Sequence, residues 1–177
     1  MSVANVHAFE RADFVRIGLK GPRAAEWLQQ RGMVLPALPN TWRALDDHGG
    51  LVARLGTSEF FIEQQMSAGS EDLARELERA HDGVYPVLRE DRAFVLQGSN
   101  AEDVLVQMCN VNFARVSRSD RHVVMTMMIG IAVLVIPQDE AGNDARKANG
   151  GCYRIWCDPS YGDYFWSSLQ DVMRGSS

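Results

Sequence analysis

The sequence predicts an α+β fold made of two strand-helix repeats. Three observations carry that prediction. Apolar residues fall in short runs bounded by Gly, Pro, Asn and Asp, which marks strands. Between the runs lie amphipathic stretches of helical period, with capping residues at their starts. One stretch also recurs: Gly21-Pro22-Arg23-Ala24-Ala25-Glu26-Trp27-Leu28-Gln29-Gln30 aligns with Gly98-Ser99-Asn100-Ala101-Glu102-Asp103-Val104-Leu105-Val106-Gln107, 77 residues later. The 177 residues are therefore expected to form a single domain of two repeats, spanning about 13–88 and 92–173.

In the first repeat, the apolar run 14–19 predicts a strand and Gly21 the turn out of it. A helix follows, with Pro22 at the first helical position, where its missing N–H costs nothing, and Gly32 as the stop. Residues 42–45, 51–55 and 59–64 read as strands, because each run is short and bounded by turn residues. Ser70 is expected to cap a helix running through His81: Glu71 and Asp72 suit its positive end, Leu73 and Leu77 share a face, and Gly83 ends it.

The second repeat follows the same plan. Residues 93–96 predict its first strand, and Gly98 again marks the turn into a helix. Strands are expected at 122–128, 131–136 and 153–157, then a helix over about 160–173. The run 123–136 is apolar at both alternating sets of positions, as in central strands covered on both faces, and Gly130 marks a turn or bulge. Ser160 lies 90 residues after Ser70, 13 more than the repeat offset, and the polar 13-residue stretch 139–151 accounts for the excess as a solvated loop.

Composition excludes several classes of protein. Six prolines and 15 glycines leave no collagen-like or disordered signature, and 46% hydrophobic residues suffice for a core. A net charge of -5, with only 18 Lys and Arg and no run of them longer than two, argues against a nucleic-acid surface. The longest apolar stretch, 123–136, is too short for a membrane-spanning helix, which needs about 20 residues. No secretory leader is read at the N-terminus, and three cysteines make an odd number, so a cytoplasmic location is expected.

The candidate chemistry is sparse. Cys152 and Cys157 lack the two-residue gap and the second pair of a typical metal site, and on a strand they point to opposite faces. Together with Cys109 they read as buried, inert thiols. His7, His48, His81 and His122 show no ligand spacing. Asp46-Asp47-His48 reads as a solvated turn, although the same residues could form an acid–base cluster. No phosphate loop or dinucleotide fingerprint is present. Met125, Met127 and Met128 read as core filling, with a methionine-lined partner groove as the alternative. Trp156, Tyr161, Tyr164, Phe165 and Trp166 concentrate near the C-terminal end. By residue type, Arg43, Arg54, Trp156 and Tyr161 are the candidate partner contacts.

Several segments carry a family resemblance. Arg16-Ile17-Gly18-Leu19-Lys20-Gly21-Pro22-Arg23-Ala24, Gly49-Gly50-Leu51-Val52-Ala53-Arg54-Leu55-Gly56 and Glu59-Phe60-Phe61-Ile62-Glu63 resemble the gamma subunit of heterotetrameric sarcosine oxidase. Leu96-Gln97-Gly98, Ala101, Leu105, Cys109 and Tyr153-Arg154-Ile155-Trp156, with Tyr164, Trp166 and Leu169, are similar to the same family, so the resemblance covers about residues 13–172. It implies the folate-binding-type α+β fold of the glycine-cleavage aminomethyltransferases, with two intertwined repeats and antiparallel or mixed sheets. It also implies a non-catalytic accessory subunit of a flavoenzyme that oxidatively demethylates sarcosine or a related N-methyl amino acid.

On that resemblance no cofactor is expected on this chain. FAD, FMN, NAD and tetrahydrofolate are expected in the partner subunits, alpha, beta and delta, and self-association is expected of the isolated chain. The full-length aminomethyltransferases carry a Gly-Glu-x-Gly-Tyr/Phe-Glu segment whose first glutamate helps to hold folate. Here the matching stretch is Ala148-Asn149-Gly150-Gly151-Cys152-Tyr153-Arg154, without a glutamate, and their C-terminal barrel has no counterpart in these residues. The alternative implied by the same resemblance is a free-standing, tetrahydrofolate-binding, aminomethyltransferase-like protein.

Overall fold

A computed structural model describes residues 6–45, 48–80, 82–138 and 151–175. In chain order the elements are β1 (Val6–Glu10), β2 (Phe14–Lys20), α1 (Ala24–Gln29), β3 (Thr41–Ala44), β4 (Leu51–Arg54), β5 (Glu59–Gln65), α2 (Ala68–Glu78) and β6 (Tyr85–Val87). They continue as β7 (Arg92–Gly98), α3 (Ala101–Met108), β8 (Val124–Met128), β9 (Ile131–Gln138), β10 (Gly151–Cys157) and α4 (Gly162–Gly175). Short 3-10 turns occupy Phe113–Arg115 and Pro159–Tyr161. The expected α+β class holds, and the elements sort into two compact units, 13–90 and 1–12 with 91–177.

Unit 13–90 is an antiparallel sheet in the order β3-β4-β5-β2-β6. The period-2 alternation of strands sends Ile17 and Leu19 of β2, Val52 of β4 and Phe60 and Ile62 of β5 into one core. Ala24 and Leu28 of α1, and Leu73 and Leu77 of α2, join that core as i,i+4 pairs. Leu51, Ala53 and Phe61, which alternate with the core residues, are buried as well. This explains why residues 51–53 and 60–62 are apolar without alternation.

The other unit is an antiparallel sheet in the order β1-β7-β10-β9-β8. Its core gathers Phe94 and Leu96 of β7, Val104, Leu105 and Met108 of α3, Val133 and Val135 of β9, Tyr153, Ile155 and Cys157 of β10, and Phe165 and Leu169 of α4. Phe94 lies 5.2 Å from Phe165 and stacks on Trp166 at 5.6 Å, centroid to centroid. Cys157 sits in this core, while Cys152, five positions earlier, is buried outside it, so the two thiols do take opposite faces.

The two sheets have the same order once β3, β4, β5, β2 and β6 are matched to β8, β9, β10, β7 and β1. Their edge strands are exchanged. β1 precedes β2 in sequence but pairs with β7, and β6 precedes β7 but pairs with β2. This reciprocal exchange is how the repeats intertwine. The recurrence of Gly21 at Gly98 has a backbone cause: the two residues hold φ of 132° and 130° at the ends of corresponding strands. A Cβ on Gly21 would stand 2.2 Å from the Gly83 carbonyl oxygen.

Several boundaries differ from expectation. β1 and β6 were not expected, since His7, Glu10 and Pro86 interrupt their apolar pattern. Helix α1 begins at Ala24, with Pro22 and Arg23 in the preceding turn, while Gly32 (φ 79°) ends the helical stretch as expected. Helix α2 begins at Ala68, two residues before Ser70, and its last residue is Glu78, so neither Ser70 nor Gly83 bounds it. Ser160 lies inside the 3-10 turn before α4, and Asp158 is the capping residue, its carboxylate accepting from the Ser160 N–H at 2.9 Å. Strand β8 is an edge strand, which corrects its expected central position. The expected loop 139–151 lies outside the described residues as far as position 150, and His81 is outside them as well.

Candidate functional site

The four candidate contact residues occupy different settings. Arg43 is exposed on the edge strand β3. Arg54, at the end of β4, is spent internally. Its guanidinium donates to the carbonyl oxygens of Ala37 (2.9 Å), Thr57 (2.6 Å) and Gly56 (3.3 Å) and lies over the Phe60 ring. It fastens the 36–37 segment to the β4–β5 turn. Trp156 is only 2% exposed, which corrects its expected place at a partner surface: a residue so deep in β10 is interior packing. Tyr161 is 53% exposed in the 3-10 turn before α4, with Tyr164 exposed close by.

Two polar networks in the 1–12/91–177 unit had no signal of comparable clarity in the sequence. In the first, the Tyr153 hydroxyl donates to Glu102 Oε1 at 2.7 Å, and Arg118 Nη2 donates to the same oxygen at 2.7 Å. Glu102 stands in the first turn of α3. Burial pushes the Tyr153 phenol up to about 12. The neighbouring Gly151 is required sterically, since a Cβ there would lie 2.4 Å from the Tyr153 ring. The one clue to this network in the sequence is Tyr153 itself, because a tyrosine in an apolar strand needs a partner for its hydroxyl.

In the second network Arg92 forms a two-point ion pair with Glu10, at 2.7 and 2.8 Å, and a third contact with Asp163 at the start of α4. The Glu10 bonds, and after them that to Asp163, raise the guanidinium's proton affinity. Arg92 thus ties together β1, β7 and α4, three elements far apart in sequence.

The cysteines match their reading as inert thiols. All three are buried, and burial holds the Cys157 thiol up at about 11 and raises Cys109 as well. Of the considered acid–base cluster, His48 is exposed, while Asp46 and Asp47 lie outside the described residues. Among the described residues, no three or more His, Cys, Asp or Glu side chains are grouped to hold a metal ion, and no helix is long and apolar enough to cross a membrane. At neutral pH these networks order the protein, and neither contains an activated nucleophile.

An open cavity of about 270 Å³ lies where the end of α3 meets the β8–β9 turn, lined by Val106, Gln107, Asn110 and Met127 among others. Beside it the methionines part company. Met128 is in the core as expected, but Met125 and Met127 are 57% and 54% exposed, which corrects their reading as core filling.

No family model and no curated protein matches this sequence. Solved structures do match. A chain of heterotetrameric sarcosine oxidase from Corynebacterium sp. U-96, in complex with pyrrole 2-carboxylate, superposes with a TM-score of 0.72 at 21% identity, covering 96% of this chain and 84% of that one. Glycine cleavage system aminomethyltransferase T from Bartonella henselae superposes with a TM-score of 0.62 at 16% identity, over 94% of this chain. The fold is of the aminomethyltransferase type. This chain spans 45% of the aminomethyltransferase it matches.

Proposed function

We propose that this chain is a non-catalytic accessory subunit, gamma-like in role, of a multisubunit flavoenzyme that oxidatively demethylates sarcosine or a related N-methyl amino acid. The observation that carries the proposal is the near end-to-end match to a chain of a heterotetrameric sarcosine oxidase, 96% of one against 84% of the other. The flavins, the nicotinamide dinucleotide and the tetrahydrofolate belong to its partners, and this chain packs against the largest of them in the cytoplasm. The local chemistry supports the reading, since Tyr153 and Cys157 are held protonated and Arg92 is locked in an ion pair with Glu10.

Co-expression with the large flavin-containing subunits tests it. The chain is expected to co-purify with them at a fixed stoichiometry, and the isolated chain is expected to give no heat with tetrahydrofolate in calorimetry. A chain that stays alone and binds tetrahydrofolate at micromolar affinity would be the free-standing aminomethyltransferase-like protein instead.

A further inference from the structure

We propose that the free edge of β8 docks an extended segment of a partner protein, with apolar side chains at alternate positions and carboxylates between them, as an added β-strand. The geometry of the β8–β9 hairpin sets this up. Ile129 and Gly130 form a two-residue turn with φ of 47° and 83°, closed by the pair Met128 and Ile131. In such a hairpin the closing pair exchanges both hydrogen bonds, and alternation then gives the next bonded pairs to Thr126 and Val124. The N–H and C=O groups of Met125 and Met127 therefore point away from β9, toward an edge that is open as far as Ile129, whose own N–H donates to the Met108 carbonyl oxygen at 2.9 Å. The side chains of these two residues are also exposed, Val106, at 65% exposure, extends the apolar surface, and the cavity beside Met127, lined mostly by polar atoms, opens next to it.

Edge strands are ordinarily protected from such pairing by charge, proline or brevity. The other edges here follow that rule: β3 is four residues long and presents Arg43, β6 is three residues long and contains Pro86, and β1 contains Glu10. The sequence of β8, Val-Met-Thr-Met-Met, has no charge and no proline.

Charge selects the occupant. The chain carries a net charge of -5, yet the segment 106–131 holds three arginines and a single aspartate. Arg118 of this segment is paired to Glu102, His122 lies 3.8 Å from Asp120, and Arg115 is exposed in the 3-10 turn before β8. No carboxylate occurs from 121 to 138. A basic and apolar strip on an acidic molecule complements an acidic, apolar strand, which gains main-chain hydrogen bonds from Met125 and Met127 and places a side chain in the cavity. A second copy of β8 would bring no carboxylate to this strip. The surface rests on the accessory-subunit reading only for the source of the strand, a larger subunit of the complex.

Two synthetic peptides test the proposal on the whole chain. One alternates Val or Leu with Thr and Glu, and the other has Lys in place of each Glu. The acidic peptide is expected to bind, to slow amide exchange at Met125 and Met127, and to bind about tenfold more tightly than the lysine peptide at low salt. Met125→Glu is expected to reverse that preference. Met127→Pro, which removes an N–H not used by β9, is expected to abolish binding while leaving the melting temperature near that of the parent chain. Equal binding of the two peptides, no binding of either, or protection of β8 that depends only on protein concentration, the mark of self-pairing, would overturn the proposal. Co-purification separates it from the functional reading. If the parent chain does not join the large subunits, that reading fails by itself; if Met125→Glu and Met127→Pro join them as well as the parent does, this proposal fails and the reading stands.

Discussion

Tyr153 shows how burial becomes a pH dependence. Burial holds its phenol up at about 12 in the folded chain against an ordinary value of 10.0, and the Cys157 thiol at about 11 against 9.0. In both cases the folded state holds the proton more tightly than the unfolded state does. Their contribution is therefore complete below pH 9 and is lost as pH rises through 11 and 12, about 2 to 3 kcal/mol for each group. Thermal melts between pH 8 and 12 are expected to fall across this window. Tyr153→Phe should remove the upper part of the fall and cost about 1 to 2 kcal/mol at neutral pH, because Glu102 keeps Arg118 as its partner. A melting temperature that stays flat to pH 12 would contradict the assigned burial.

Among the elements, the turn from β2 into α1 tolerates little change. Gly21 combines a φ of 132° with a hypothetical Cβ position 2.2 Å from a backbone oxygen that no side-chain rotation can move. Gly21→Ala is expected to cost about 2 to 4 kcal/mol in denaturant unfolding. Gly32→Ala is the control: its φ is also positive, at 79°, but nothing lies within 4 Å, so a cost of about 1 kcal/mol is expected. Equal costs at the two sites would show that backbone conformation alone governs the turn.

For the molecule as a whole, the exchanged edge strands are the organising feature. Strand β1 is separated from β7 by the entire 13–90 unit, yet it pairs with β7 over five residues and brings Glu10 to Arg92. A chain lacking residues 1–11 is expected to lose about 2 to 5 kcal/mol, since β7 becomes an open edge and Arg92 loses its two-point partner. Circular dichroism melts would measure the loss. An unchanged transition would mean that β1 is dispensable and that the exchange is topological only. The fold itself is common to a sarcosine oxidase chain and part of an aminomethyltransferase, so the function has to be argued from surfaces and sites rather than from architecture.

Local physics made much of this chain readable in one dimension. The 77-residue recurrence located both strand-to-helix turns, because a positive φ near 130° demands glycine in each copy. Two-sided burial wrote unbroken apolar runs at 51–53 and 60–62, and period-2 spacing placed Cys152 and Cys157 on opposite faces. Only the tertiary structure decided which strands lie at the edges, since strand order depends on pairings across tens of residues that leave no local pattern. For that reason Met125 and Met127, which have the letters of a core, face outward from an edge, and Trp156, which has the letters of an interface, lies inside. The bonds of Arg92 to Glu10 and Asp163, and of Tyr153 to Glu102, belong to the same class. Their partners stand 82, 71 and 51 residues apart in the chain, and folding alone brings them within hydrogen-bond reach.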